Sequence, residues 1–439
     1  MVNGKVDQNH LNALYLVAAV ATVFMTMIIA IQPLFLKSIL GLSRENAGFI
    51  NSNIQVATEI ADLLFIGYFG YLSDRFGRIS LIVSGFALAG VTTMIAPFCG
   101  LIGAFMGLSG LAVFYLARII ISLGTAAVWP QIVTLTGDFS NKQTRPGLLA
   151  RAGFMMGLGA TLSYAALMRI PQNAGVTVSM FFLAIIAFAG AWLAKNLLVD
   201  IIPRMEAQSM PFAELKTLLY KQRKLRLTFL AAFSSRNDMV MIGLFLMIWF
   251  IYFADLLALD HAEAAARGGL IIGYIGVVSL ISIPAWGSAI ERYGRVHSIA
   301  MGMGLTGMGL VSFGFIINPF SLWILIPSTL VAMGQAGCLL APQTLTLDLA
   351  PERIRGSVLG AFNTVGCLGI VLFLFAGGIL FDKAGPPAPF VFTGVANLLI
   401  MFYALYILSQ ERACEEDEEG DIKPEKSAKP LNIKDKLAI

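Results

Sequence analysis

Charged residues in this chain come in clusters, and between the clusters lie twelve runs that are apolar over about 20 residues, the length a helix needs to cross a hydrocarbon core of about 30 Å. Their approximate limits are 11 to 36, 47 to 72, 79 to 97, 105 to 136, 148 to 170, 176 to 198, 227 to 254, 268 to 290, 296 to 317, 321 to 347, 357 to 380 and 388 to 409. The first, Leu11 to Leu36, holds no charge over 26 residues, longer than the apolar core of a cleavable leader, and is expected to be a membrane helix. Several runs carry multiple glycines, such as Gly153, Gly157 and Gly159, or Gly302, Gly304, Gly307 and Gly309. Glycines at that density weaken a soluble helix but let membrane helices approach closely. The expected fold class is an all-α integral membrane protein of 12 transmembrane helices.

Composition supports this and closes other routes. A chain of 439 residues would otherwise suggest about three soluble domains, but 57% hydrophobic against 13% charged residues could not stay dissolved. The net charge of +4 makes no electrostatic case for nucleic acid. Cys99, Cys338, Cys367 and Cys414 lie far apart with no CxxC pair, so neither a disulfide framework nor a structural zinc site is expected. His10, His261 and His297 fall at loops or span ends, which leaves an intramembrane site of several histidines unsupported.

An even span count puts both termini on one side, and the placement of Lys and Arg says which. Loops on the side of the termini hold 17 bases outside the tail, and those on the opposite side hold five, Lys37, Arg44, Arg169, Arg267 and Lys383. Both termini are therefore expected in the cytoplasm. The expected organisation is a six-helix half over 1–198, a cytoplasmic linker over 199–226, a second six-helix half over 227–409, and a charged tail over 410–439. The tail is too poor in apolar residues to offset the entropy of ordering it and is expected to be disordered.

The halves repeat one another. The loop after span 2 reads Gly70-Tyr-Leu-Ser-Asp74-Arg75-Phe-Gly77-Arg78, and the loop after span 8 reads Gly287-Ser-Ala-Ile-Glu291-Arg292-Tyr-Gly294-Arg295. Glycine, acid, arginine, aromatic, glycine and arginine recur in register. A second echo joins Pro130-Gln131 in span 4 to Pro342-Gln343 in span 10, each followed by an acid, Asp138 or Asp348. The chain is an internal duplication of six spans.

Two six-span halves of this kind, with GYLSDRFGR at the first junction, resemble the major facilitator superfamily. In that family the loop latches the cytoplasmic mouth, and the resemblance assigns this role to Asp74, Arg75 and Arg78, with Glu291, Arg292 and Arg295 as the mirror latch and Gly70, Gly77, Gly287 and Gly294 shaping the turns. Span 4 is similar to the family's fourth helix, with Arg118 and Gly124 in place and Ser122 where the family has its first Gly. Span 5 lacks the Gly-Pro pair of the family's antiporters, which weighs against a proton-driven drug exporter. The stretches from Asn51 to Asp62 and from Ser234 to Asp238 resemble permeases of magnetosome membranes, a subgroup that implies iron handling.

Ionisable residues inside a membrane are costly and point to function by default. In span 2, Gln55, Glu59 and Asp62 share a polar face, and the two acids sit one turn apart, placed to carry a proton or hold a cation jointly. The alternative is a buried polar bridge to span 11 near Asn363. Arg118 in span 4 is placed to bind an anionic substrate or to balance Glu59 or Asp62. Arg236 and Asp238 in span 7 are placed to pair with each other, with a gate or with solute. The only metal ligands suggested are Glu59 and Asp62.

The function expected from the resemblance is secondary active transport by alternating access, coupled to protons or another ion, of a small solute across a bacterial inner membrane, with iron into a magnetosome compartment as one substrate. An organic-anion permease built on Arg118 and a non-transporting sensor or scaffold are the alternatives. No GxxxxGK[ST] loop occurs, no nucleophile and base come together as in an enzyme, and no cofactor is expected. The expected partners are the solute or ion and the lipid bilayer, with no nucleic acid; the sequence names no protein partner for the tail.

Overall fold

The fold is seen in a computed structural model that describes residues 7–140, 145–200, 212–351 and 355–421; the side chain of Asp74 lies outside the described set. With no water in the bilayer core, each crossing must satisfy its own backbone groups, and helices do so. Among the described residues there are twelve long helices and no strand.

They are α1 (Gln8–Ser38), α2 (Ala47–Phe76), α3 (Arg78–Ile95, prolonged through a 3-10 turn by Cys99–Met106), α4 (Gly110–Asp138), α5 (Arg145–Ala165) and α6 (Val176–Leu197). There follow α7 (Arg223–Leu257), α8 (His261–Tyr293), α9 (Arg295–Ser312), α10 (Leu325–Leu349), α11 (Arg355–Ala384) and α12 (Ala388–Asp421).

Eleven helices among the described residues are long and apolar enough to cross a membrane, against the twelve expected. The one outside that set is α5, whose Arg151 and run of glycines dilute its apolar character. It nevertheless packs along α1 and α8 like its neighbours. Caps mark several entries: Asp7 and His10 form a capping box on α1, Ser109 accepts from the Ala112 amide at the start of α4, and Asp260 accepts from the amides of Ala262 and Glu263 on α8. Each orphan N–H satisfied this way removes a cost of about 1 kcal/mol.

The repeated loops are single-residue joints. Gly77 at φ +93° links α2 to α3, and Gly294 at φ +85° links α8 to α9, a left-handed conformation that glycine adopts without the steric penalty of a side chain. This is the physical reason for glycine at both equivalent places.

The helices before residue 200 stack α3 on α4 and α6, and α1 on α5 and α6; those after residue 222 stack α9 on α10 and α12, and α7 on α10 and α11. The two sets meet chiefly where α2 packs on α11 and α5 on α8.

Two expected boundaries move. The 199–226 linker contains a short helix, Phe212–Lys221, and α7 already begins at Arg223, while residues 201–211 lie outside the described residues. The tail, expected to be disordered from residue 410, continues α12 as helix to Asp421. Its Glu- and Ala-containing composition extends an existing helix at little cost, because nucleation has already been met. Residues 422–439 lie outside the described residues.

Candidate functional site

The polar residues of α2 do converge, though with different partners from those expected. Arg118 on α4 is 2% exposed. Its Nε donates to Gln32 Oε1 on α1 at 2.9 Å and its Nη2 to Gln55 Oε1 on α2 at 3.1 Å. Gln32 Nε2 in turn donates to the Asn51 carbonyl at 3.0 Å and to Asn51 Oδ1 at 3.3 Å. Gln55 Nε2 donates to Glu59 Oε1 at 3.2 Å. Among the described residues Arg118 makes no hydrogen bond to Glu59 or Asp62; two glutamine oxygens take its Nε and Nη2, and its charge acts on both acids through space. A planar guanidinium suits this two-sided grip, which a lysine could not make.

Asp62 is held separately: Ser122 Oγ donates to its Oδ1 at 2.7 Å. The serine that departs from the family's glycine therefore serves a carboxylate that most of the surrounding apolar side chains would leave unsolvated. Glu59 and Asp62 are both half-buried, and the charges of Arg118 and of Arg236 on α7 both act on Glu59.

Arg236 is half-buried and its Nη1 donates to Asn363 Oδ1 on α11 at 2.7 Å. The expected bridge from α2 to Asn363 is replaced by this one. Nor does Arg236 pair with Asp238, because the following turn carries the two side chains to different sides. Asp238 is fully buried and accepts from Asn397 Nδ2 on α12 at 3.2 and 3.4 Å. Asn363 is exposed although it lies within a spanning helix. Glu59 and Asp62 from one set of helices and Arg236 from the other come near one another where α2 packs on α11.

At the end of the bundle away from the termini, the two sets of helices are tied together. Lys37 Nζ at the end of α1 meets Asp255 Oδ2 at the end of α7 at 2.8 Å, and His261 Nε2 meets the other Asp255 oxygen at 2.7 Å. Tyr252 Oη donates to the Leu42 carbonyl at 3.3 Å. The end of α11 supplies Asp382, whose two oxygens accept from the amides of Gly48 and Phe49 at 2.8 Å each. A carboxylate from one half caps the first turn of α2 in the other, where the helix dipole favours negative charge. Gly48 is required there, since a Cβ would lie 2.7 Å from Phe381 and 2.8 Å from Asp382.

Of the residues assigned to the latch, at the opposite end, Arg78 and Arg295 pair within their own halves. Arg78 Nε pairs with Asp138 at the end of α4, and Arg295 Nε pairs with Asp348 at the end of α10 at 2.8 Å, so the duplication is preserved in the ion pairs. Arg75 lies over the Phe76 ring and Arg292 over the Tyr293 ring. Asp200, just after α6, accepts from the amides of Arg78 and Ile79 at 3.1 and 3.2 Å and caps α3. Among the described residues, the hydrogen bonds found between the halves are those at the far end, so this conformation is held together there.

These features can be set beside known proteins. The sequence profile of the Major Facilitator Superfamily matches residues 14–374, and again 239–437. The chain belongs to the Major Facilitator Superfamily. It is a multi-pass membrane protein of a family of secondary transporters. Its relatives include magnetosome protein MamH of Paramagnetospirillum magneticum, 52% identical over 400 residues that make up 91% of this chain and 93% of that protein. Magnetosome protein MamZ of Magnetospirillum gryphiswaldense is 35% identical over 402 residues, 91% of this chain but 62% of that longer protein. The resemblance to magnetosome permeases in the stretches 51–62 and 234–238 thus extends over most of the chain. A D-xylose-proton symporter has the same fold, with a TM-score of 0.70 over 90% of this chain and 97% of that one, at 16% identity.

Four participants escaped the sequence reading: Asp382, Asp255, Asn397 and Asp200. Asp382 and Asp255 stand at span ends, where an acid reads as an ordinary loop residue. Asn397 is a lone polar residue in an apolar run, and such a position in a membrane helix is the one signal that pointed to it.

Proposed function

We propose that this protein is an ion-coupled secondary transporter whose substrate is a cation, with ferrous iron moved into a magnetosome compartment as the specific case. The observation that carries the reading is the state of Arg118. It is buried and its Nε and Nη2 are already committed to neutral oxygens of Gln32 and Gln55, whereas Glu59 and Asp62 each keep a carboxylate oxygen beyond their single described hydrogen bond. This favours a cation over the organic anion. Among the described residues no group of three or more His, Cys, Asp or Glu comes together, so a cation would be held by two carboxyls, neutral oxygens and water. Hard oxygen ligands of that sort suit a divalent ion held weakly enough to be released. The kinship with MamH supports the magnetosome setting, and the excess of bases on the side of the termini supports a cytoplasmic position for both.

Halves hydrogen-bonded to one another at the far end, and not at the end bearing the termini among the described residues, fit one half-cycle of alternating access. Glu59 faces Arg118 from its own half and Arg236 from the other, and this lets a bound cation change the balance of charge between the halves as they rock.

The test is uptake by purified protein in liposomes, offering Fe(II), Mn(II) and a panel of organic anions with and without a pH gradient. Fe(II) uptake that Glu59→Gln and Asp62→Asn each abolish, in protein that still inserts and folds, is the expected result. Uptake of an anion lost in Arg118→Ala but kept in the acid variants would replace the cation reading. Absence of uptake for every solute would leave a sensor or scaffold.

A further inference from the structure

Away from these residues, the second half contains a buried polar cluster between α7, α10 and α12. Asp238 is its only carboxyl among the described residues, and it is fully buried. Asn397 Nδ2 reaches both of its oxygens, and Ser234 Oγ donates to Asn397 Oδ1 at 2.6 Å. Asn237, also fully buried, directs Nδ2 to Met241 Sδ, which accepts from Thr393 on α12 as well, while its Oδ1 has no hydrogen-bond partner. A buried carboxylate served by one amide and an orphan carbonyl oxygen beside it are each costly in a low-dielectric interior unless a positive charge or a proton completes them.

The surrounding elements supply no such charge. Arg236, the nearest guanidinium on α7, is turned to Asn363. From α10 the facing titratable group is the Cys338 thiol, itself held by Thr306 and Met303 of α9. From α12 come Asn397 and Thr393, both neutral.

The backbone is irregular at the same place. Helix α7 runs as Arg223–Ser235, breaks at Arg236 and Asn237, resumes over Asp238–Met241, and widens into a π-turn over Ile242–Leu246. π-turns and broken membrane helices recur where ions bind, because they release carbonyls from the regular ladder.

We propose that this cluster is a coupling site for a monovalent cation, a proton or Na⁺, bound on the Asp238 carboxylate, with the unpartnered Asn237 Oδ1 as its neutral oxygen ligand and Asn397 Nδ2 fixing the carboxylate. Occupancy removes the buried negative charge and lets α7 close on α12; loss of the cation favours the bent form. This rests on the transporter reading for its use in a cycle, but the site itself is testable without transport.

The experiment is infrared difference spectroscopy on the full-length protein in lipid nanodiscs, titrated with acid and base and then with sodium chloride against choline chloride at constant pH. The expected result is a protonated-carboxyl C=O band that is lost in Asp238→Asn and retained in Glu59→Gln and Asp62→Asn. Displacement of the band by sodium assigns Na⁺ as a ligand, and insensitivity to sodium assigns the proton alone. Should Asp238→Asn fail to fold, Asn397→Ala keeps the question open to measurement, since removing the amide donor shifts the same band. Difference spectra that coincide in wild type, Asp238→Asn and Asn397→Ala, with and without sodium, would overturn the site.

Discussion

Replacing Asp382 by Asn tests whether the far-end seal sets the balance between conformations. In the sealed form its carboxylate receives two backbone N–H bonds of 2.8 Å from the first turn of α2, and hydrogen bonds to a charged group contribute about 1.5–3 kcal/mol each. A negative charge at a helix N-terminus adds about 0.3–1 kcal/mol. Asparagine keeps one acceptor oxygen, so the variant loses one bond and the charge, a change of about 2–4 kcal/mol against the sealed form. At about 1.4 kcal/mol per decade this moves the ratio of sealed to unsealed molecules roughly 20- to 700-fold. The Lys37–Asp255 pair is partly exposed, with side chains at 18% and 37%, and pairs of that kind contribute about 0–1 kcal/mol. Asp255→Asn is therefore the weaker perturbation of the two. Spin labels at Ser43, in the loop before α2, and at Ala384, the last residue of α11, both exposed, read the separation directly by pulsed electron resonance. The expected outcome is a longer-distance population that grows strongly in Asp382→Asn and little in Asp255→Asn. Identical distance distributions in wild type and Asp382→Asn would refute the seal.

Arg118→Lys keeps the charge but surrenders the two-glutamine grip, and a lost hydrogen bond to a charged group costs about 1.5–3 kcal/mol; thermal unfolding in detergent should fall clearly below wild type, and an unchanged midpoint would show that the network contributes little. Gly77→Ala and Gly294→Ala both force alanine to positive φ at about 1–2 kcal/mol, but only at Gly77 would the new Cβ meet the Asp200 carboxylate, whereas nothing lies within 4 Å at Gly294. The Gly77 variant should be the less stable by thermal unfolding, and equal losses would remove Asp200 from the account. A reporter fused after Ile439 should be active only in the cytoplasm, and activity on the other side would overturn the orientation drawn from the 17-to-5 distribution of bases.

Much of this protein was legible without coordinates because a bilayer imposes a one-dimensional rule. A membrane helix must be apolar for a fixed length, so spans, the six-plus-six repeat and the family could be read from residue order alone. The glycines at 77 and 294 were legible for a related reason, since a joint of one residue between two helices needs a backbone conformation that glycine supplies. The polar face of α2 was visible from its spacing of three and four residues.

What those polar groups do to one another was decided only by the tertiary structure. Arg118 reaching past the acids to Gln32 and Gln55, Ser122 serving Asp62, and Arg236 turning from Asp238 to Asn363 all depend on which helix faces which, at distances from 63 to 127 residues along the chain for the pairs Arg118–Gln55 and Arg236–Asn363. Asp382 on the first turn of α2 joins positions 334 residues apart. Hydrogen bonds select partners within a fraction of an ångström and by direction, whereas the hydropathic pattern records only that a side chain must leave lipid. The pattern therefore determined which residues lie inside the bundle, and packing determined which of them meet.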